Sequence, residues 1–274
     1  MINHWEEHKI LIWGKTYPEI SSKYYETVCT GGVLDTGRFI RLYPIPFRYL
    51  ADTKIFTKYQ WIKARIKKSK EDPRPESFKI DPESISAEDN IPPDKYSWFN
   101  RAQIVFKNKD FVFNSVEELL NANIINKTSM GFVKPLRIDK IEIENRPAED
   151  YETFLRKINA NRERLKQSEI FPVITISELK SLQYITQRFK VHWKCNDVNC
   201  KGHKMAILDW EIYELVRNVG MTKATQKLNE VLDLANYNTG FFLGNFRLHQ
   251  KNFAIGGIWY PKRSNLAPNL KLFE

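Results

Sequence analysis

Residues 184–195 read Tyr-Ile-Thr-Gln-Arg-Phe-Lys-Val-His-Trp-Lys-Cys, and this alternation decides how the last third of the chain folds. Successive side chains of a β-strand point to opposite faces of the sheet. One face here carries Ile185, Phe189, Val191, Trp193 and Cys195, and the other carries Tyr184, Thr186, Arg188, Lys190, His192 and Lys194. The pattern therefore predicts a strand with an apolar face packed inward and a basic face turned outward.

The residues after this strand form a candidate metal knuckle, Cys195-Asn-Asp-Val-Asn-Cys200-Lys-Gly-His203. Two thiols and an imidazole at this spacing favour Zn²⁺ over hard cations. The fourth ligand is open, since the candidates lie on the opposite strand face or far along the chain: His192, Cys29 and His249. Water or substrate in that position would indicate a catalytic metal, and buried cysteines without metal are the remaining alternative. We expect a structural zinc.

Two helices and a hairpin are predicted after the knuckle. Asp209 fits a helix N-cap, and Gly220 fits the end of that helix. A second helix begins at Thr222, and residues 240–248 and 252–260 are typical of a closing hairpin. The order strand, knuckle, helix, helix, hairpin indicates an α+β unit.

The first half of the chain is dominated by predicted strands. They cover residues 8–13, 25–34, 38–43, 59–66 and two runs within 103–113. The segment 69–93, rich in Pro, Asp, Glu and Ser, is interpreted as a long loop, and 131–143 as a further strand. Ser115 and Glu118 form a capping box that opens a short helix, and 148–166 has helical spacing.

These elements predict an α+β protein with three parts. Residues 1–145 form a β-rich domain, which is barrel-like or a strongly twisted mixed sheet. Residues 146–180 form a helical connector, and 181–274 form a smaller basic α+β unit with the knuckle. The parts could also pack as one continuous domain.

Charge points to a polyanionic partner. The chain carries 43 Lys and Arg against 33 Asp and Glu, a formal net charge of +10. Residues 180–274 hold 14 basic and 7 acidic side chains, so most of the excess lies in the last third. A basic excess attracts nucleic acid or an anionic membrane. Since no amphipathic basic helix with an exposed apolar face accompanies it, we expect nucleic acid rather than membrane.

Cysteine usage and the first residues predict a cytoplasmic protein. Three cysteines in 274 residues do not make a disulfide scaffold and are typical of a reducing compartment. Residues 1–9 lack an apolar run behind a basic start, so we expect no signal peptide. No run of apolar residues is long enough for a membrane span.

A basic surface on the last third is the leading binding candidate. Alternate residues of one strand lie about 6.5–7 Å apart, close to the spacing of phosphates along a nucleic-acid strand. The predicted nucleic-acid contacts are Arg188, Lys190, His192, Lys194, Arg247 and His249. A charged strand face that only contacts solvent is the alternative.

A second polar cluster belongs to the first half of the chain. Arginine forks suit bidentate capture of phosphate or carboxylate. The predicted anion pocket consists of Lys15, Arg41, Arg48 and Arg74. Cys29 lies in an apolar run and is interpreted as an inert core thiol.

Catalytic residues are not identified by any motif, and the candidates are Glu76, Asp209 and Glu211. Helix capping by Asp209 and a dipole contact by Glu211 explain those two acids without catalysis. No phosphate loop, dinucleotide fingerprint, nucleophile elbow or HExxH motif occurs. The leading hypothesis is a nucleic-acid-binding protein. The alternatives are a metal-dependent nuclease or other nucleic-acid-modifying enzyme, and a nucleotide or small-anion sensor or protein–protein module.

Overall fold

A computed structural model describes residues 4–92, 97–166 and 180–263 of the chain, and within them α and β elements are mixed. The strands are β1 (Glu6–Lys15), β2 (Glu19–Ser21), β3 (Tyr25–Leu34), β4 (Phe39–Ile45), β5 (Gln60–Lys68), β6 (Ser77–Ile80), β7 (Ser86–Asn90), β8 (Val112–Phe113), β9 (Met130–Val133), β10 (Arg137–Asn145), β11 (Gln187–Lys194), β12 (His203–Ala206), β13 (Gly240–Phe246) and β14 (His249–Trp259). The helices are α1 (Ser97–Val105), α2 (Val116–Asn126), α3 (Ala148–Lys166) and α4 (Trp210–Val231). The predicted α+β class is confirmed.

The N-terminal sheet closes on itself. Its strands follow the order β1-β3-β4-β6-β5, and β5 pairs back onto β1, with Ile10 opposite Ile62. The five strands therefore form a closed, barrel-like sheet, and β2 pairs additionally with β3 and β7 with β5. Closure leaves no open edge among these five strands. The barrel-like unit expected from the sequence is confirmed.

The second half of strand β1, from Ile10 onward, is buried on both faces, which explains its unbroken apolar run. Ile10 and Ile12 belong to the core inside the barrel. Leu11 and Trp13 point the other way and join a second core, rich in aromatic side chains, that includes Phe242 of β13. The Trp13 and Phe242 rings stack with their centroids 4.5 Å apart. The outer wall of the barrel is therefore packed against the C-terminal sheet.

Two further sheets make up the C-terminal part. One has the order β10-β11-β12 and the other β14-β13-β9-β8. The apolar face of β11 is buried in the core of this part, as its alternation predicts. Strands β9 and β10 fall within the predicted domain 1–145, but they pair with β13 and β11. The domain boundaries stay a prediction, and residues 167–179 of the predicted connector lie outside the described ranges.

Helix ends follow the capping residues. Ser115 Oγ accepts a hydrogen bond from the Glu118 amide at the start of α2, and Asp209 caps α4. Gly220 interrupts α4 with φ of 81°, at the residue predicted to end the first of two helices. None of the helices in the described ranges is long and apolar enough to cross a membrane.

Two local interpretations were wrong. Residues 97–105 form helix α1 where a strand run was expected from 103, because Ala102, Val105 and Phe106 make one helical stripe buried in the aromatic core. The segment 69–93 holds β6 and β7, which both pair with β5. Short strands of this kind obtain their stability from a neighbouring strand, so their own sequence predicts them poorly.

Candidate functional site

The knuckle lies between β11 and β12 and is shaped by a tight turn. The Asp197 side chain accepts a hydrogen bond from the Asn199 amide at 2.7 Å, and its carbonyl accepts one from the Cys200 amide at 3.1 Å. Gly202 then has a backbone φ of 99°, an angle that residues with a Cβ atom rarely adopt. This turn returns the chain so that His203 pairs with Trp193, two residues before Cys195.

The three predicted ligands meet at one point. The His203 Nε2 atom lies 3.2 Å from the Cys195 sulfur and 3.3 Å from the Cys200 sulfur. Both cysteines are buried. Glu117, from the first turn of α2, joins them with its Oε2 atom 2.9 Å from the Cys195 sulfur. The four ligand atoms lie within 4.8 Å of one another, so this group could hold a metal ion.

Glu117 is the member of this group that the sequence does not indicate. It lies 78 positions before Cys195, and no spacing rule connects two residues so far apart. The neighbouring capping box involves Ser115 and Glu118, whose side chains accept hydrogen bonds from backbone amides at the start of α2. His192, considered as a fourth ligand, is instead 2.6 Å from Glu142 of β10.

Burial controls the protonation of the knuckle. It raises the pKa of the Cys195 thiol to about 12, and the hydrogen bond to Glu117 acts in the same direction. Burial lowers the pKa of His203, against the nearby Glu117 charge. A bound cation would favour the thiolate, so metal binding at this group releases protons.

The basic face of β11 is paired with acids of β10. Glu144 accepts hydrogen bonds from Arg188 and from Lys190, the latter at 2.7 Å. The Glu142 carboxylate lies 2.6 Å from the His192 Nε2 atom and accepts a hydrogen bond from Lys204 of β12 at 2.8 Å. The pKa of Glu142 is lowered to about 2 by these hydrogen bonds. The row that the sequence predicts as a nucleic-acid surface is therefore largely a cross-strand ladder of ion pairs.

The remaining members of that prediction lie elsewhere on the surface. Lys194 is half-buried and pairs in register with Arg137 of β10. Arg247 is exposed in the turn between β13 and β14, where its guanidinium donates to the Glu71 carbonyl at 3.1 Å. His249 is exposed at the start of β14.

Two members of the predicted anion pocket are engaged by other groups. Lys15 donates to the Phe56 carbonyl at 2.8 Å and lies 4.1 Å from the centre of the Phe47 ring. Burial lowers the pKa of Lys15 to about 8. Arg48 donates two hydrogen bonds, of 2.8 and 2.9 Å, to the carboxylate of the buried Glu26. Both cations therefore bind groups of the protein itself, and Arg48 also donates to the Lys180 and Ser181 carbonyls.

The other two members, Arg41 and Arg74, line a cavity of about 660 Å³ between the barrel and the C-terminal sheets. We call it the arginine cavity, because its described wall contains Arg41, Arg74, Arg146, Arg188 and Arg247. The cavity thus brings together two members of each set of cations that the sequence predicts on separate surfaces.

Hydrogen bonds position both barrel arginines. Arg41 donates to Ser129 Oγ at 2.9 Å and to Ser77 Oγ at 3.1 Å. Arg74 forms a fork with Asp72, at 2.9 Å and 2.6 Å, and also donates to Asn245. Burial would raise the pKa of Asp72, but the hydrogen bonds and charge of Arg74 outweigh it and lower the pKa to about 2.

The candidate catalytic acids have buried protein partners. Glu76 accepts hydrogen bonds from the amide and hydroxyl of Ser129. Asp209 accepts from the amides of Glu211 and Ile258, at 3.1 and 3.3 Å, and lies 3.3 Å from the Lys58 ammonium. Glu211 is 3.6 Å from the same Lys58. None of the three acids is among the described residues that line the arginine cavity.

Two family models match the chain. The first, described as Domain of unknown function (DUF8758), matches residues 6–107, which hold the barrel and α1. The second, described as Domain of unknown function (DUF8757), matches residues 112–274, which hold the knuckle. A search of curated proteins finds no match to this chain.

Proposed function

The chain belongs to the family described as Domain of unknown function (DUF8757), and from its own geometry we propose that it binds nucleic acid in the arginine cavity and binds a structural zinc at the knuckle. The observation that supports this most is the composition of the cavity wall. Among the described residues it holds six basic and three acidic side chains, drawn from both halves of the chain. Clustered cations attract phosphates and release their counterions.

Exposed aromatic side chains support a nucleic-acid ligand over a small inorganic anion. Tyr43 of the barrel and Phe246 of β13 line the cavity with 47% and 43% of their surface exposed. Aromatic rings beside cations are the usual platform for unpaired bases, which stack on them. A wall with both features fits a ligand that has phosphates and bases.

Zinc is the metal that fits the knuckle best. Two sulfurs, one imidazole nitrogen and one carboxylate oxygen are ligands that zinc accepts. Tetrahedral bonds of about 2.0–2.3 Å separate ligand atoms by roughly 3.3–3.8 Å, close to the 3.2 and 3.3 Å between His203 and the two sulfurs. Four protein ligands leave no position for substrate, so the proposed role is structural: the ion fastens α2 to β11 and β12.

Enzymatic function is not part of this proposal. Glu76 and Asp209 are buried against donors of the protein itself, which gives each a structural role. A carboxylate that serves as catalytic base needs access to the substrate.

Charge reversal at the cavity mouth tests the proposal. Arg247→Glu is expected to weaken binding of a labelled single strand about tenfold, or ~1.4 kcal/mol, because a phosphate contact is lost and a repulsion is added. Lys251→Glu is the matched control, since it makes the same charge change at an exposed residue of β14 outside the described cavity wall. Fluorescence anisotropy at about 50 mM and about 200 mM salt measures both. Equal losses in the two variants, or no binding by the unaltered protein at the lower salt, would contradict the proposal.

The ion-pair ladder offers a test that separates the cavity from the β11 face. Glu144→Gln releases Lys190 and also Arg188, which lines the cavity, and is expected to raise affinity severalfold. Glu142→Gln makes the same change in charge but releases His192 and Lys204, which are not among the described lining residues, and is expected to have little effect. The same anisotropy assay compares them. An equal gain in affinity in both variants would indicate that nucleic acid binds to the charged face of β11 and not in the cavity.

A further inference from the structure

The arginine cavity exists because glycines stand where side chains would fill it. Gly244 of β13 and Gly256 of β14 both line it. A Cβ atom at Gly256 would have its nearest neighbours at 3.8 Å, and at Gly244 its nearest neighbour would be Arg41 at 3.4 Å. Side chains there would extend into the cavity. The floor is therefore backbone from two neighbouring strands, which leaves room for a ligand.

A buried cation lies against this floor. Arg41 is 4% exposed, and its described partners are the Ser77 and Ser129 hydroxyls and the Ser129 carbonyl. Among the described residues, no carboxylate lies within 4.0 Å of its guanidinium. Because these partners are neutral, they do not neutralise the charge of the guanidinium. An anion that reaches a buried charge of this kind stabilises it. Arg74, by contrast, is paired with Asp72.

The thiol beside these arginines does not supply the missing negative charge. Cys29 lines the same cavity. Burial raises the pKa of the Cys29 thiol, and this outweighs the opposing influence of Arg41 and Arg74. The raised pKa favours the neutral form of Cys29. The charges of Glu76 and Asp72 act on Arg41, but neither forms an ion pair with it among the described contacts, so its guanidinium can receive an anionic ligand.

We infer that the arginine cavity takes a single nucleotide, free or turned out of a strand, with its phosphate facing Arg41 and its base against Tyr43 or Phe246. This inference makes the proposed function more specific, and it rests on that function because it assumes that the ligand is a component of nucleic acid. A cavity of about 660 Å³ lies within the size range of small-molecule sites and is too small for a duplex. Phosphate and base each match one part of the wall, so a ligand with both should bind more tightly than either alone.

Calorimetry with simple probes tests this inference. The probes are a 5′-nucleoside monophosphate, the corresponding nucleoside and inorganic phosphate. The monophosphate is expected to bind at least about tenfold more tightly than either fragment, and to displace a labelled single strand. Gly256→Leu is expected to abolish monophosphate binding because the side chain fills the cavity. Gly256→Ala is the matched control and should retain it, since its Cβ has room.

A second variant covers the case in which Gly256→Leu does not fold. Tyr43→Ala removes an exposed ring from the cavity wall and is expected to weaken binding of the monophosphate but not of inorganic phosphate. If the single strand binds normally and the monophosphate neither binds nor competes, the nucleotide cavity is overturned and the proposed function stands. If the monophosphate binds and no polynucleotide does, the cavity takes free nucleotide and the proposed function fails. If neither binds, both proposals are wrong.

Discussion

Cys200→Ser is expected to lose stoichiometric zinc and to lower the free energy of unfolding by at least ~3 kcal/mol, because zinc binding at a structural site is part of the folding free energy. Cys200 is one of four residues whose ligand atoms lie within 4.8 Å of one another. Without the ion, α2 keeps the contacts of Glu117 with Cys195 and His203 and the apolar packing of Val116 and Leu119 against this core. Elemental analysis gives the metal content, and urea unfolding gives the stability.

Cys29→Ser is the control for this experiment. It removes the third cysteine of the chain, which lies in β3 and is not in the cluster. Full zinc content and nearly unchanged stability are expected. Glu117→Gln should weaken zinc binding more than Glu118→Gln, although both remove a negative charge from the first turn of α2. Unaltered protein that purifies without zinc and unfolds identically with and without a chelator would contradict the metal assignment.

Lys58→Met is expected to lower the free energy of unfolding by ~3–5 kcal/mol, because it leaves the carboxylate of Asp209 buried without its cation. The Lys58 and Asp209 side chains are only 7% and 3% exposed and lie 3.3 Å apart. Burial would lower the pKa of Lys58, but Asp209 and Glu211 outweigh it and hold that pKa well above its usual value. Urea unfolding at neutral pH measures the loss.

The pH dependence of the same variant gives an independent check. Burial already raises the pKa of Asp209 above its ordinary 3.8, and the charge of Lys58 opposes this. Without Lys58 the folded-state pKa rises further, so folding favours the protonated acid. The penalty of Lys58→Met should therefore be largest above that raised pKa and shrink as the pH falls toward 3.8.

Lys63→Met is the matched control for Lys58→Met. Lys63 pairs with Glu88 at 2.9 Å on the barrel surface, where water screens both charges. Its removal is expected to cause little change in stability at any pH. A penalty of Lys58→Met that does not depend on pH would show that the hydrogen bond from Lys58 to the Ile258 carbonyl, rather than the charge opposite Asp209, stabilises this region.

Local patterns predicted the elements that are built from local interactions. Alternation predicted β11, the Ser115 and Asp209 caps marked helix starts, and Gly220 marked the break in α4. The three knuckle ligands were found for the same reason, since Cys195, Cys200 and His203 lie within one turn of chain. Helix α1 is not predicted by the sequence, because a short apolar run such as the one that begins at residue 103 does not distinguish a helix from a strand.

The sequence by itself determined a basic α+β chain with a Cys/Cys/His knuckle, because those properties depend on composition and on neighbours a few residues apart. Only the tertiary structure decided three others. It placed Glu117 beside the knuckle, paired the cations of β11 with Glu142 and Glu144, and brought Arg41 and Arg74 to one cavity with Arg188. Each depends on strand register or on packing between residues far apart along the chain, and shifting a strand by one residue would turn its side chains to the other face.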